Sequence, residues 1–166
     1  MRKLAVVAAA VAALSWTAAA EAKLTAVEQK WATPMITVWN QQNLALHVVL
    51  QAATAKNALI YGTTNNRKLT VILNTFVVCG PAIKKAGAAP SPRLQPFATS
   101  LGTACTHDTA GAKDFAKTVG AVRENKRAQA ETLLKHGVAE FKLGTAALTK
   151  AYKSLVAIGG KNVFTA

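Results

Sequence analysis

Three histidines, His47, His107 and His136, have the side chains best suited to acid–base catalysis or metal binding in this chain. None lies in a recognisable motif with a nucleophilic serine or cysteine. Asp108 follows His107, but adjacent helical residues point apart, so we interpret Asp108 as a helix cap and His107 as a surface residue. His136 and Glu140 share a helix face, yet a metal would need two further ligands. The sequence therefore predicts no catalytic site, no metal site and no cofactor.

Two cysteines, Cys79 and Cys105, are the only ones in the chain. An even number of cysteines in an exported protein indicates a disulfide, and the C-x-x-C spacing typical of a redox-active pair is absent. The bridge would enclose residues 80–104. By loop-closure entropy, a bridge over a loop of that length contributes roughly 3–4 kcal/mol of stability.

The charge is strongly positive and unevenly distributed. The chain has 20 Lys and Arg against 7 Asp and Glu, a net charge of +13, and no acidic residue occurs from Gln29 to His107. A field of one sign attracts polyanions such as cell-wall phosphate polymers, acidic lipid headgroups or nucleic acid, although no nucleic-acid-binding motif occurs. The alternative is that the charge only keeps an exported protein soluble, and the sequence leaves both interpretations open.

Residues 1–22 have the three parts of a secretory signal peptide: a basic start, an apolar run over Leu4–Leu14, and small residues at the cleavage site. The alternative is an uncleaved anchor, but that apolar run of about eleven residues is shorter than the roughly twenty needed to span a bilayer. We therefore predict a secreted or extracytoplasmic protein. Its mature chain, residues 23–166, would be a single helical domain without a transmembrane span.

The clearest periodicity lies between residues 130 and 158, where apolar or small residues recur at alternating steps of four and three. They are Ala130, Leu134, Gly137, Phe141, Gly144, Leu148, Ala151, Leu155 and Ile158. This spacing predicts an amphipathic helix packed against another helix. The opposite side carries Lys135, Lys142 and Lys153, which we predict as a binding site for anionic groups. The alternative for such a row is an ordinary solvated helix face.

Two further helices are predicted before this one. Thr25 and Glu28 form a capping box that starts the first helix, which would run to about Tyr61 with a kink or restart at Pro34. The second covers Leu69–Gly87. It would kink or start a new turn at its Gly-Pro pair, and a stiff, proline-rich connector, residues 88–96, follows it.

From Leu94 onwards the spacing fits one helix of about thirty residues, although a break near Asp108 is equally compatible. Together these elements predict an all-α fold, an antiparallel bundle of three to four long helices with one disulfide.

Two functions are compatible with such a chain. The first is an exported, non-enzymatic binding module that engages anionic polymers of the cell envelope or a protein partner. The alternative is a helical carrier that holds a small apolar ligand or cofactor between its helices. Its wall would consist of the aromatic residues Trp31, Trp39, Phe76 and Phe141, although aromatic residues at helical spacing usually belong to a core.

Overall fold

The computed structural model describes residues 23–54 and 66–159. Within those ranges the chain forms four α-helices and a short 3₁₀ turn. They are α1 (Ala26–Thr54), α2 (Asn66–Ala86), the 3₁₀ turn (Pro92–Leu94), α3 (Gln95–Arg123) and α4 (Arg127–Val156). The predicted signal peptide and the predicted end of the first helix near Tyr61 lie outside the described residues. No helix in the described part of the chain is long and apolar enough to cross a membrane.

Helices α1 and α2 run antiparallel. Near the start of α1, Trp31 donates its indole N–H to the carbonyl oxygen of Gly87, directly after α2, at 3.3 Å. Further along α1, Gln42 Nε2 donates to the carbonyl oxygen of Thr75 at 2.8 Å. Gln42 interrupts the apolar side of α1 and is buried there, with its Nε2 bonded to a backbone carbonyl of α2 and its Oε1 without a partner among the described residues.

Helices α2 and α3 are also antiparallel, and the predicted disulfide joins them. Cys79 and Cys105 are bonded, with their Cα atoms 5.6 Å apart. One turn away, the hydroxyl of Thr109 donates to the carbonyl oxygen of Phe76 at 2.9 Å. The bridge therefore joins the two helices that the proline-containing connector separates in sequence.

Helix α4 packs antiparallel to α3 and closes the bundle against α1. Two side-chain pairs, His107 with Glu140 and Asp114 with His136, fix the α3–α4 register. On its other side, α4 accepts a hydrogen bond from Trp39 Nε1 at the carbonyl oxygen of Leu148, at 2.9 Å. The result is an up-down-up-down bundle, which confirms the predicted fold class.

The predicted buried side of α4 is confirmed. Of the nine residues that define it, seven are buried, while Leu134 and Ile158 are partly buried. The small residues let α3 approach: a Cβ added at Gly137 would lie 3.2 Å from the carbonyl oxygen of Gly111, and one at Gly111 would meet Phe141 at 3.0 Å. Large and small side chains thus alternate along the seam because the backbones of α3 and α4 nearly touch at the glycines.

The predicted capping box is present at the start of α1, and its Glu28 also contacts another part of the chain. Thr25 N donates to Glu28 Oε2 at 2.8 Å, and Glu28 N donates to Thr25 Oγ1 at 3.3 Å. The buried Glu28 carboxylate also accepts hydrogen bonds from the guanidinium of Arg93 and from Ser91 Oγ. The Arg93 bonds hold the pKa of Glu28 well below its usual range. This cluster fastens α1 to the connector before α3.

The helices are continuous at the three positions where the sequence allows a break, Pro34, Pro81 and Asp108. Helices α1 and α2 continue through Pro34 and Pro81, so neither helix restarts. Trp31 and Met35, on either side of Pro34, are both buried on the same side of α1. Their packing stabilises the helix where Pro34 lacks a backbone N–H. Helix α3 is likewise continuous through Asp108.

Candidate functional site

The three lysines predicted as a binding site form an exposed row on α4. We call Lys135, Lys142 and Lys153 the lysine stripe. All three are exposed on the side of α4 opposite its buried seam. At a rise of about 1.5 Å per residue the row is about 27 Å long. None of the three forms an ion pair or a side-chain hydrogen bond with another residue that the structure describes.

The carboxylates of α4 do not neutralise this row. Glu131 is the acidic residue on the same face, and it lies 3.4 Å from Arg127 Nε, one turn earlier. Glu140 is turned towards α3, where its Oε2 lies 2.8 Å from His107 Nδ1. With both carboxylates of α4 paired elsewhere, the stripe keeps its charge.

The two histidines of α3 and α4 join a network that links these helices. His136 Nδ1 lies 2.5 Å from Asp114 Oδ2, and its Nε2 lies 3.9 Å from Glu140 Oε1, which continues the chain to His107. Lys117 adds a weaker contact with Asp114 at 3.7 Å. The His107–Glu140 and His136–Asp114 pairs could not be predicted from local spacing because their members are 33 and 22 residues apart in sequence.

This network orients imidazoles but contains no nucleophile. Both cysteines are in the disulfide, and no serine or threonine is hydrogen-bonded to either histidine among the described residues. Across the same residues, no group of three or more His, Cys, Asp or Glu side chains is arranged to hold a metal ion. The geometry therefore supports a polar link between α3 and α4.

Asp108 is the most unusual ionisable residue of the described chain, and its predicted role as a cap is wrong. It lies in the middle of α3, is fully buried, and neither carboxylate oxygen has a hydrogen-bond partner. Burial raises its pKa to about 8, so its neutral form predominates at pH 7. Because the helix is continuous, Asp108 keeps the seam position that its spacing gives it and faces Gly144 of α4.

Substituting Gly144 with Ala is expected to lower the free energy of unfolding by about 1–3 kcal/mol, because overpacking displaces neighbours. The new Cβ would overlap Asp108 Oδ1 and lie 2.7 Å from its Cγ. Gly120→Ala is the matched control, since a Cβ there meets nothing within 4 Å and Ala favours a helix by up to about 1 kcal/mol. Urea denaturation would measure the free energy of unfolding of both variants. Equal stability of the two variants would contradict this contact, and Asp108→Ala should relieve the Gly144→Ala defect.

The four aromatic residues considered as ligand walls pack against other rings. Trp31 meets Phe97 edge-on at 6.2 Å between ring centroids, and Trp39 stacks on Tyr152 at 5.7 Å. Phe76 and Phe141 contact each other at 5.0 Å. These rings therefore occupy the core position that their helical spacing usually indicates.

Comparison of the chain with known protein families, with curated proteins and with solved structures finds no match.

Proposed function

We propose that this protein is an exported, non-enzymatic binding module that engages an anionic polymer of the cell envelope through the lysine stripe. One observation carries the proposal: three exposed lysines lie along one face of a single continuous helix, and both carboxylates of that helix are paired elsewhere. The signal-like residues 1–22 and the disulfide support export, because disulfides persist in oxidising compartments.

The spacing suits a linear polyanion. The lysines are 7 and 11 residues apart, which places them about 10 Å and about 16 Å from each other along a rigid helix. A single exposed ion pair contributes little, but several anionic groups of one polymer neutralised together release their counterions, which favours binding at low salt.

The surface around the stripe favours a polymer over a folded protein partner. Stable protein interfaces are centred on buried aromatic or large apolar anchors. Leu143 is the one large exposed apolar side chain of α4 among the described residues. An electrostatic contact along the helix therefore matches this face better than a hydrophobic interface does.

Changing Lys135, Lys142 and Lys153 together to Gln should weaken binding to a polyanion and flatten its salt dependence. With long-chain polyphosphate as the probe, the slope of log K against log salt should fall by up to about two units, because each lysine releases somewhat less than one counterion. Fluorescence titrations between low and high salt would measure both quantities.

The control is a second triple variant that removes the same charge from other helices, Lys30→Gln, Lys85→Gln and Lys113→Gln. These lysines are exposed on α1, α2 and α3. We expect this variant to retain most of the affinity. If both triple variants bind alike, net charge alone explains the affinity and the stripe is a solvated face. A wild-type protein that binds no polyphosphate at low salt would also overturn the proposal.

A further inference from the structure

A second candidate site lies between α2 and α3, next to the disulfide. An open groove of about 660 Å³ lies between these helices and is lined by residues of both. Its apolar lining includes Val77, Pro81 and Ile83 from α2 and Cys105 and Ala110 from α3. This volume and this composition are typical of small-molecule sites, which measure about 300–1,000 Å³ and are mostly apolar.

Two missing side chains keep the groove open. Gly80 of α2 and Gly102 of α3 both belong to its lining, and a Cβ added at either would meet no atom within 4 Å. Val77 is left 47% exposed at the groove wall, although a valine of a helical bundle is usually buried. Apolar surface is therefore exposed to solvent in this groove.

The polar groups of the lining select the ligand's chemistry. The hydroxyls of Thr106 and Thr109 already donate to the carbonyl oxygens of Gly102 and Phe76, at 3.1 and 2.9 Å. Their donor protons are therefore not available to a ligand. An uncharged polar molecule would find few hydrogen-bond donors here, whereas an alkyl chain has no hydrogen bonds to lose when it leaves water.

Two lysines give the groove a positive charge. Lys84 and Lys113 belong to its lining, no carboxylate does, and neither lysine pairs with another residue in the described ranges. Because α2 and α3 are antiparallel, these lysines lie towards opposite ends of the groove. Lys84 is followed by Lys85, while Lys113 is followed by Asp114, so the Lys84 end is the more positive.

We propose that the α2–α3 groove binds a medium-chain fatty acid, with its carboxylate at Lys84 and its alkyl chain extending over Cys105 towards Val77 and Ala110. This site shares no residue with the lysine stripe, so the two proposals stand or fall separately. The occupant is a free monomeric acid, since an open groove between two helices accommodates one chain better than it fits a flat bilayer surface.

The first test fills the groove. Gly102→Leu places a side chain into the open space, and Gly120→Leu adds the same side chain at another open position of α3 outside the groove. Isothermal titration calorimetry would use dodecanoate below its micelle concentration and the delipidated full-length protein. We expect Gly102→Leu to lose affinity at least about tenfold and Gly120→Leu to bind like the wild type, because only the first removes the volume that the chain occupies.

The second test distinguishes the contribution of the ligand's carboxylate from that of its alkyl chain. Lys84→Gln should weaken dodecanoate binding about tenfold, whereas dodecanol should bind this variant and the wild type alike, since only the carboxylate needs the ammonium group. Lys30→Gln, an exposed lysine of α1 outside the groove, and the triple variant of the lysine stripe should each change dodecanoate affinity less than about twofold.

Four results would overturn this assignment. They are no saturable binding of dodecanoate to the wild type, equal binding by Gly102→Leu and Gly120→Leu, equal weakening by Lys84→Gln and Lys30→Gln, and loss of binding in the stripe variant. Binding to phosphatidylglycerol vesicles without binding to monomeric dodecanoate would show adsorption to a membrane surface, which also overturns it. Far-UV circular dichroism melts of the Leu variants would confirm that both are folded.

Discussion

Asp108→Asn is expected to raise the free energy of unfolding by roughly 4 kcal/mol at pH 7 and to leave it nearly unchanged at pH 4. The pKa of Asp108 is about 8 in the folded protein because the carboxyl is buried without a partner. In the unfolded chain the pKa returns to about 3.9. Between these values the folded state holds one more proton, so unfolding becomes easier as pH rises.

The amide of Asn has the size of the carboxyl but does not ionise, so the variant lacks this pH dependence. At pH 4 the wild-type carboxyl is neutral in the folded state and about half ionised in the unfolded state, so it differs from the amide by only about half a kcal/mol. Above about pH 8 the difference between the two proteins should be constant. Urea denaturation followed by circular dichroism from pH 4 to pH 9 would measure the difference at each pH.

Asp114→Asn is the control, because that carboxylate lies on the same helix and has partners. It contacts His136 at 2.5 Å and Lys117 at 3.7 Å. Removing its charge should therefore destabilise the protein at pH 7, opposite in sign to Asp108→Asn. Every other ionisable group is the same in wild type and Asp108→Asn, so its contribution cancels in the comparison. If wild type and Asp108→Asn show parallel pH profiles, Asp108 is not held neutral by burial.

Phe141→Ala should lower the free energy of unfolding by roughly 3–5 kcal/mol, as truncation of a fully buried Phe does. Its ring is fully buried and contacts Phe76 of α2 and Phe115 of α3, with centroids 5.0 and 6.3 Å away. Three helices therefore meet at one side chain. Removing it leaves a cavity that the backbones of α3 and α4, already in contact at Gly111 and Gly137, cannot close by moving together.

Leu143→Ala provides the matched control on the same helix. Leu143 is 50% exposed, so its truncation should change stability by no more than about half a kcal/mol. Chemical denaturation with guanidinium would compare the two variants. A Phe141→Ala protein as stable as Leu143→Ala would mean that α4 is not packed against α2 and α3 through this ring.

Local patterns in the sequence were sufficient to predict the helices and the side that each one buries. The seam from Ala130 to Ile158, the capping box of Thr25 and Glu28, and the Cys79–Cys105 bridge all appear in the structure. Each depends on residues within one helix or on the single possible pairing of two cysteines. Burial periodicity is a property of one element, so it can be seen without knowing the neighbours.

The partners of the polar side chains could not be predicted in the same way. Gln42 interrupts the apolar side of α1, and nothing in the sequence of α1 indicates that Thr75 of α2 accepts its hydrogen bond. Spacing gave two interpretations of Asp108, and the cap was wrong because a continuous α3 keeps this residue on the buried side. In both cases the outcome depends on which residues of the neighbouring helix lie opposite the side chain, and local sequence does not show this.

The sequence by itself determined the helical class, the buried seams, the disulfide and the excess of positive charge. Only the tertiary structure decided where that charge is uncompensated and where a groove remains. Glu140 turns towards His107 and leaves the lysine stripe without a counterion on α4, and Gly80 and Gly102 line the same groove. The physical reason is that an ion pair or a cavity between helices depends on their relative register, which packing of the whole bundle sets.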